Sequence, residues 1–378
     1  MPLFNTVPGS VAPKATYRTS TTVEKPRYNT TASVDTKDII CSIDGNGIFF
    51  THTPIVNGTG AVASYHVQDN QLVNTNHPNI TSGQIACDYV NSAYYYISGN
   101  DIIVYSQNNG NFSISSTDHL PNGTLYWITV TPDINIITLQ TSTGIYQYEG
   151  ELTTAISSTD WNLINPTVIS NPSWVRDGII NNTPGCYHFG NGDMTQLLIL
   201  DDSGILWTKA VYDFAGGQYY FLSSSYIYKC SPTDFTNANA WTKINYPSVG
   251  ISKFYDLCVD LTLNSLFIIT DRGIWIFDFA NNSWSKINND NLSGNLICSD
   301  GTGNFLIGDN LTSGTTNFTY FTYPLSTTTT TKTLVPALEK ITSSAGNSYK
   351  YKGSTLYISN NTNILDYSAT VDDILGGE

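Results

Sequence analysis

The chain has 378 residues, of which 40% are hydrophobic, 12% are aromatic and only 12% are charged. This composition excludes an intrinsically disordered chain, because enough apolar surface is present to form a core, and it leaves a solvent face built mainly of hydroxyl and amide groups. The net charge of −14 argues against a nucleic-acid partner, since phosphate contacts need clustered Lys and Arg side chains.

Positive charge is unevenly distributed along the chain. Residues 38–175 contain ten carboxylates and no Lys or Arg, whereas residues 1–37 carry five cations and two carboxylates. The first 37 residues also contain four prolines and no strand or helix pattern, so we expect residues 1–37 to form an extended N-terminal arm. The asymmetry is explained either by chance in a weakly charged protein or by an arm that lies on an acidic surface, its own or a neighbour's.

From residue 38 to residue 378 the sequence repeats short apolar strands separated by Asn, Asp and Gly turns. Four such strands within about 40 residues are typical of one blade of a β-propeller. The successive units are Ile39–Val67, Cys87–Tyr105, Leu125–Trp161, Cys186–Trp207, the crowded region Tyr219–Ile244, the most regular unit Phe254–Asn289, Cys298–Ile307, and a last hairpin of Leu356–Ser359 and Ile364–Tyr367.

These units predict an all-β fold, a β-propeller of about seven four-stranded blades, with six or eight also open. The domains expected are therefore the arm, residues 1–37, and the propeller, residues 38–378. We expect a strand near residue 40 to pair with the last blade and close the ring, which leaves no long sheet edge. The Thr-rich run Ser326–Thr331 is expected to be an exposed loop or a hairpin end.

The six cysteines indicate packing rather than metal binding. No CxxC pair is present, which argues against a zinc site. Five of the six end a strand at the same place in the repeat, directly before a polar turn, and Val130 takes that place in the third unit. We expect this position to be a small buried apolar residue near the propeller axis. The five are Cys41, Cys87, Cys186, Cys258 and Cys298.

Two segments resemble kelch-type repeats. In IWIFDFANNSWSKIN, residues 274–288, and YIYKCSPTDFTNANAWTKIN, residues 226–245, an apolar strand leads through a polar turn to a Trp strand. Trp161, Trp241 and Trp284 occupy the Trp position, but the paired glycines typical of kelch blades are missing. The resemblance implies a propeller fold and no particular activity.

A search for catalytic chemistry finds no catalytic or cofactor-binding residue. The sequence has no GxSxG, HExxH or P-loop motif, and its five His have no metal-ligand spacing, so each is expected at the surface or at a strand end. Acidic residues recur at the turns of the repeat, where they either cap the turn or ring one end of the channel and bind cations. This leaves the metal question open for Asp44, Asp88, Asp133, Asp260 and Asp300.

Three functional hypotheses follow. The preferred one is a non-enzymatic structural or interaction protein of a larger assembly, similar to the propeller components of virus particles or phage tails, which docks on neighbouring subunits through residues 1–37. The alternative is a glycan-binding propeller whose Tyr and Trp side chains stack on sugars rather than pack between blades. The third is a polysaccharide-active hydrolase or lyase.

The expected location follows from the same features. No apolar run typical of a secretory signal begins the sequence, and no segment reaches the ~20 apolar residues of a membrane helix. We therefore expect synthesis in the cytoplasm, a final place in a virion or other extracellular assembly, no cofactor and no membrane insertion.

Overall fold

The computed structural model describes residues 17–23, 27–32, 36, 38–41, 49–52, 60–68, 71–80, 84–170, 172–182, 185–197, 207–247, 250–287, 292–309, 314–324, 327–333, 348–352, 355–359 and 369–370. The chain divides into two compact units. The small unit is Met1–Lys25 with Leu325–Glu378, and the large unit is Pro26–Pro324.

The described residues form 33 strands, numbered here in chain order. The first eighteen are Tyr17–Val23 (β1), Arg27–Ala32 (β2), Asp38–Cys41 (β3), Phe49–His52 (β4), Gly60–Gln68 (β5), Gln71–Ile80 (β6), Ala86–Asp88 (β7), Ala93–Ser98 (β8), Asp101–Ser106 (β9), Gly110–Ser115 (β10), Leu125–Thr131 (β11), Ile136–Thr141 (β12), Gly144–Glu149 (β13), Asn162–Asn165 (β14), Trp174–Arg176 (β15), Ile179–Asn182 (β16), Gly185–Phe189 (β17) and Met194–Gln196 (β18). The others are Lys209–Asp213 (β19), Gln218–Leu222 (β20), Tyr226–Cys230 (β21), Thr242–Asn245 (β22), Phe254–Asp260 (β23), Ser265–Thr270 (β24), Gly273–Asp278 (β25), Ser283–Lys286 (β26), Leu296–Ser299 (β27), Asn304–Asp309 (β28), Thr316–Thr322 (β29), Thr327–Thr333 (β30), Ser348–Lys352 (β31), Thr355–Ser359 (β32) and Ala369–Thr370 (β33).

The large unit is a β-propeller. Its described strands form seven four-stranded antiparallel sheets: β3–β6 (blade 1), β7–β10 (blade 2), β11–β14 (blade 3), β15–β18 (blade 4), β19–β22 (blade 5), β23–β26 (blade 6), and β27–β29 with β2 (blade 7). The first strand of each blade contacts the first strand of the next, and β27 contacts β3. These first strands therefore surround the axis, and the predicted propeller fold is confirmed.

The ring is closed by strand β2. It pairs antiparallel with β29, from Arg27 opposite Phe321 to Ala32 opposite Thr316, and forms the outermost strand of blade 7. The prediction that a strand near residue 40 closes the ring was wrong, because Asp38–Cys41 is the innermost strand of blade 1. An outermost strand has one sheet neighbour and needs few apolar side chains, which is why RYNTTA does not read as a strand.

The domain boundaries predicted from the sequence differ from the two units of the structure. Residues 17–23 and 27–32 of the expected arm are strands, and residues 325–378 belong to the small unit rather than to the propeller. In the small unit, β1 pairs with β30 from Tyr17 opposite Thr333 to Val23 opposite Thr327. β31, β32 and β33 form a second sheet there.

Two further expectations about the C-terminal part need correction. The Thr-rich run Ser326–Thr331, expected to be an exposed loop or a hairpin end, contributes most of strand β30, since Thr is β-branched and favours extended backbone. The hairpin expected to be the last blade places Thr355–Ser359 opposite Ser348–Lys352 in the small unit. Its other half, Ile364–Tyr367, lies outside the described residues.

The hydrophobic core lies between and within the blades. The strands around Phe254–Asn289 match the sequence prediction closely, and β24 is buried along its whole length. The crowded region is blade 5, because β19 supplies the fourth strand that the sequence pattern lacked. In blade 4 the first two strands are WVR and IINN, which were missed, and the predicted hairpin at 198–206 lies outside the described residues.

Helical structure in the described residues consists of three single 3-10 turns at 158–160, 232–234 and 238–240. None of these helices is long and apolar enough to span a membrane.

Candidate functional site: the two ends of the propeller axis

The two ends of the propeller are defined by the direction of the first strands. We call the end where these strands begin the upper end, and the end where they finish the lower end. Because neighbouring strands in a blade are antiparallel, the connections between its first and second strands and between its third and fourth strands lie at the lower end. Asp38 and Lys209 begin first strands, whereas Asp88 and Asp260 end them.

Four charged side chains meet at the axis and form what we call the axial charge cluster, namely Asp38, Arg176, Lys209 and Asp256. Nζ of Lys209 in blade 5 donates to Oδ2 of Asp38 in blade 1 at 3.0 Å. Nη1 of Arg176 in blade 4 donates to Oδ1 of Asp256 in blade 6 at 3.4 Å. The backbone N–H of Ile297 in blade 7 donates to Oδ2 of Asp256 at 3.1 Å. The cluster therefore ties five blades together.

Burial makes this cluster electrostatically unusual. Arg176 and Asp256 are both buried. Burial lowers the pKa of Arg176, but Asp256, Asp38 and Asp177 together raise that pKa above its usual value, so the guanidinium stays charged. Burial raises the pKa of Asp256, against the opposing effect of Lys209 and Arg176. Among the described residues Nε of Arg176 has no hydrogen-bond partner.

Aromatic and carboxylate groups cross the axis near the lower end. The hydroxyl of Tyr89 in blade 2 donates to Oδ1 of Asp177 in blade 4 at 2.8 Å, and the N–H of Tyr212 in blade 5 donates to Oδ2 at 3.1 Å. The rings of Tyr89 and Phe214 lie 4.9 Å apart. Burial raises the pKa of the Asp177 carboxyl, and Arg176 opposes that increase. Side chains of blades that are not neighbours in the ring therefore meet near the axis at both levels.

The recurring turn aspartates mostly cap turns. Asp88 accepts from the N–H and the side-chain amide of Asn91, and Asp260 accepts from Leu263 N, Ser299 Oγ and Gly303 N. Asp300 accepts from the N–H groups of residues 302 and 304. Asp133 is different, because its Oδ1 is buried without a partner among the described residues and burial raises its pKa. Asp44 lies outside the described residues.

No candidate metal site is found among the described aspartates of these turns. In the part of the chain that the structure describes, no group of three or more His, Cys, Asp or Glu side chains could hold a metal ion.

The cysteine interpretation is confirmed for four of its five positions. Cys41, Cys87, Cys258 and Cys298 are buried on the first strands of blades 1, 2, 6 and 7, next to the axis. Cys186 was placed wrongly, because it lies on β17, the third strand of blade 4. All six thiols are free and buried.

These thiols are expected to be unreactive in the native protein. Burial raises the pKa of the Cys258 thiol well above its usual value and that of Cys230 to about 11, so little thiolate forms at pH 8. We expect Ellman's reagent to label none of the six within minutes at pH 8 and all six in guanidinium chloride. Rapid labelling of a native thiol would contradict this burial.

His188 departs from the surface position expected for the five histidines. It is buried in blade 4, where its ring packs edge-on against Tyr219 at 5.5 Å and Phe235 at 4.8 Å. Its Nε2 has no partner among the described residues. Burial lowers the pKa of His188 from 6.5 to about 4. The side chain is therefore neutral at physiological pH.

The buried imidazole predicts a pH-dependent stability. The unfolded chain binds the proton near pH 6.5, so the contribution of neutral His188 is complete above that pH and is lost as pH falls toward 4. Relative to a His188→Phe variant, the free energy of unfolding of the wild type should fall by about 2.5 kcal/mol between pH 7.5 and 4.5. Urea unfolding of both proteins at the two pH values measures this, and an unchanged difference would refute it.

The aromatic side chains pack inside the propeller. Trp207 stacks on Trp241 with ring centroids 5.7 Å apart and an angle of 3° between the planes. Trp161 and Trp241 directly precede the fourth strands of blades 3 and 5, and Trp284 lies in that of blade 6, as the sequence alignment of the repeats predicts. Six of the seven Trp side chains are buried: Trp127, Trp161, Trp174, Trp207, Trp241 and Trp275.

Comparisons with known proteins support the fold and go no further. No family model matches the sequence, and no curated protein matches it. A chain in the crystal structure of the mitotic checkpoint complex is similar with a TM-score of 0.50 and 8% identity, over 85% of this chain and 98% of that one. At these identities the likeness shows the propeller fold alone.

Two further structures resemble the chain less well. The WD40 repeats of RRP9 have a TM-score of 0.47 and 5% identity, over 78% of this chain and 97% of that one. A Bacteroides thetaiotaomicron protein of unknown function has a TM-score of 0.41 and 13% identity, over 78% and 76% of the two chains. Neither supports the kelch resemblance specifically.

Proposed function

We propose that the protein is a non-enzymatic structural component of a larger assembly and that its propeller serves as a platform for protein binding. The observation that carries the proposal is the filled axis. Arg176 meets Asp256 across the axis, and Tyr89 meets Asp177 nearer the lower end. These contacts join blades that are not neighbours in the ring, and the outward-facing ends and rim of the propeller remain for recognition.

The more specific proposal is a component of a virus particle. It is supported by the sequence, through the hydroxyl- and amide-rich composition and the basic first 37 residues. Within those 37 residues, 17–23 and 27–32 pair with strands of the same chain. Docking on a neighbouring subunit is therefore proposed for the residues of 1–37 outside β1, β2 and the buried Thr36.

The glycan-binding alternative requires exposed aromatic faces. The Trp side chains, which stack best on sugars, are mostly internal in the described part of the chain. Six of the seven Trp side chains are therefore not available to stack on a sugar in this structure.

The proposal is tested by comparing protein from its natural source with the purified recombinant chain. Chymotrypsin digestion followed by mass spectrometry should cut the recombinant chain near Phe4 and leave this site protected in the native material. Size-exclusion chromatography with light scattering should show native particles much heavier than the 41.5 kDa chain. Identical digestion patterns together with a monomeric native mass would refute the proposal.

A further inference from the structure

An apolar patch is exposed at the lower end of the propeller. Val90 lies in the connection between the first two strands of blade 2 and is 63% exposed, and Ile134 has the equivalent place in blade 3 and is 37% exposed. Tyr89, which directly precedes Val90, packs its half-buried ring against the half-buried ring of Phe214 in blade 5, with the centroids 4.9 Å apart. We call Tyr89, Val90, Ile134 and Phe214 the lower-end patch. Large exposed apolar side chains grouped on one face mark interaction surfaces.

Carboxylates lie around this patch at the same end. Glu149 is exposed and pairs with Ile136, which directly follows the turn that carries Ile134. Oε1 of Glu151 accepts from Nδ2 of Asn109 in the third-to-fourth connection of blade 2 at 2.5 Å. Asp193 is exposed in the corresponding connection of blade 4. Negative charge therefore extends over the lower ends of blades 2, 3 and 4.

Blades 2 and 3 supply no cation to compensate this negative charge, although Lys229 lies at the same end of the propeller, near the end of the third strand of blade 5 and beside Asp213. Residues 84–175, which include the whole of blades 2 and 3, contain seven carboxylates and no Lys or Arg. The nearest cation in sequence, Arg176, is buried on the axis and paired with Asp256. An exposed field of one sign extends about 8–10 Å into solvent at physiological ionic strength. Such a field attracts cationic groups and repels anionic ones.

We propose that the lower-end patch binds a polypeptide segment of a partner protein that is both apolar and cationic. One or more apolar side chains cover Val90 and Ile134, and flanking Lys or Arg side chains approach Glu149, Glu151 and Asp193. The apolar contact supplies affinity, and the charges supply orientation and association rate. This inference rests on the proposed function, because it assigns the platform a face and a class of partner.

Site-specific photocrosslinking in the native assembly tests the inference. The photoreactive residue p-benzoylphenylalanine replaces Val90 in one full-length variant. In a matched control it replaces Asn100, which is exposed at the upper end of the same blade. After irradiation, mass spectrometry identifies the crosslinked peptide. We expect a product from position 90 whose peptide carries a net positive charge, and none from position 100.

A charge variant provides the second readout. In the Val90 crosslinking variant, Glu149→Gln with Asp193→Asn should lower the yield of the product at least about fivefold, because two charges that attract the partner are removed. The control pair Asp101→Asn with Asp118→Asn removes the same net charge elsewhere in residues 84–175 and should leave the yield unchanged.

The outcomes separate the inference from the proposed function. The inference is overturned if only position 100 gives a product. It is also overturned if the product from position 90 contains an acidic peptide, a glycan, a lipid or a second copy of this chain. The inference is also overturned if both pairs of charge substitutions lower the yield of the position-90 product by the same factor. If neither position gives a product, the inference is overturned. The proposed function fails with it only if the native material also shows the digestion pattern of the recombinant chain and a monomeric mass.

Discussion

Deletion of residues 1–32 should lower the free energy of unfolding of the propeller by about 5 kcal/mol, whereas deletion of residues 1–25 should leave it nearly unchanged. The longer deletion removes β2 and its six-residue ladder with β29. A net contribution of about 1 kcal/mol per hydrogen bond gives a loss of this size. The freed edge of β29 also becomes a site for aggregation.

Differential scanning calorimetry of the two truncated proteins measures this effect. For a unit of this size we expect the melting temperature to fall by about 10 °C or more on loss of β2. The deletion of 1–25 is the matched control, because it removes β1 and retains the whole of Arg27–Ala32. Equal melting temperatures for the two proteins would show that β2 does not hold the ring closed.

Replacement of Asp256 by Ala is the second change with a large expected effect. It should destabilise the protein by about 3–5 kcal/mol, because a buried Arg176 guanidinium and the N–H of Ile297 lose their partner. The double variant Arg176→Met/Asp256→Leu removes both charges and should be destabilised by less than the single variant Asp256→Ala. The apolar replacement leaves no unpaired charge inside.

Guanidinium chloride unfolding of the wild type, Arg176→Met, Asp256→Leu and the double variant Arg176→Met/Asp256→Leu gives the coupling energy. We expect a coupling of at least about 2 kcal/mol. Asp118→Asn serves as a surface control, since Asp118 is exposed between blades 2 and 3 and its replacement should change stability by about 0.5 kcal/mol or less. If the stability changes caused by the Arg176 and Asp256 substitutions simply add, the axial charge cluster does not link the blades energetically.

The fold was predictable where local signals agree. In Phe254–Asn289, the apolar runs and the Asp and Asn turns agree, and this unit forms one four-stranded blade as predicted. Four buried cysteines on first strands were also predictable, because the same position recurs before the same type of turn.

The parts that sequence reasoning missed depend on partners distant in the chain. β2 has a polar sequence without the alternation of apolar and polar residues that indicates a strand. It is extended because it pairs with β29. The axial charge cluster joins residues 80 and 171 positions apart, and nothing in the local sequence distinguishes Asp38 or Asp256 from a turn-capping aspartate. One signal for Arg176 was present, namely an isolated cation at the end of a long cation-free stretch.

The candidate binding face was only partly visible in the sequence. The absence of Lys and Arg from residues 38–175 indicated an acidic surface. The sequence could not place Val90, Ile134, Glu149 and Asp193 at one end of the propeller, because that requires knowledge of which strand of each blade is innermost.

The pairing of β2 with β29 has a consequence for biosynthesis. Thr31 and its partner Asn317 are separated by 286 residues, so one half of the closing ladder leaves the ribosome long before the other half. At about 5–20 residues per second, β2 waits roughly 15–60 s for its partner. During this interval the emerging blades expose sheet edges that can pair with other nascent chains. Ring closure is therefore a late, largely post-translational step, and production in a host should depend on chaperones that protect open sheets.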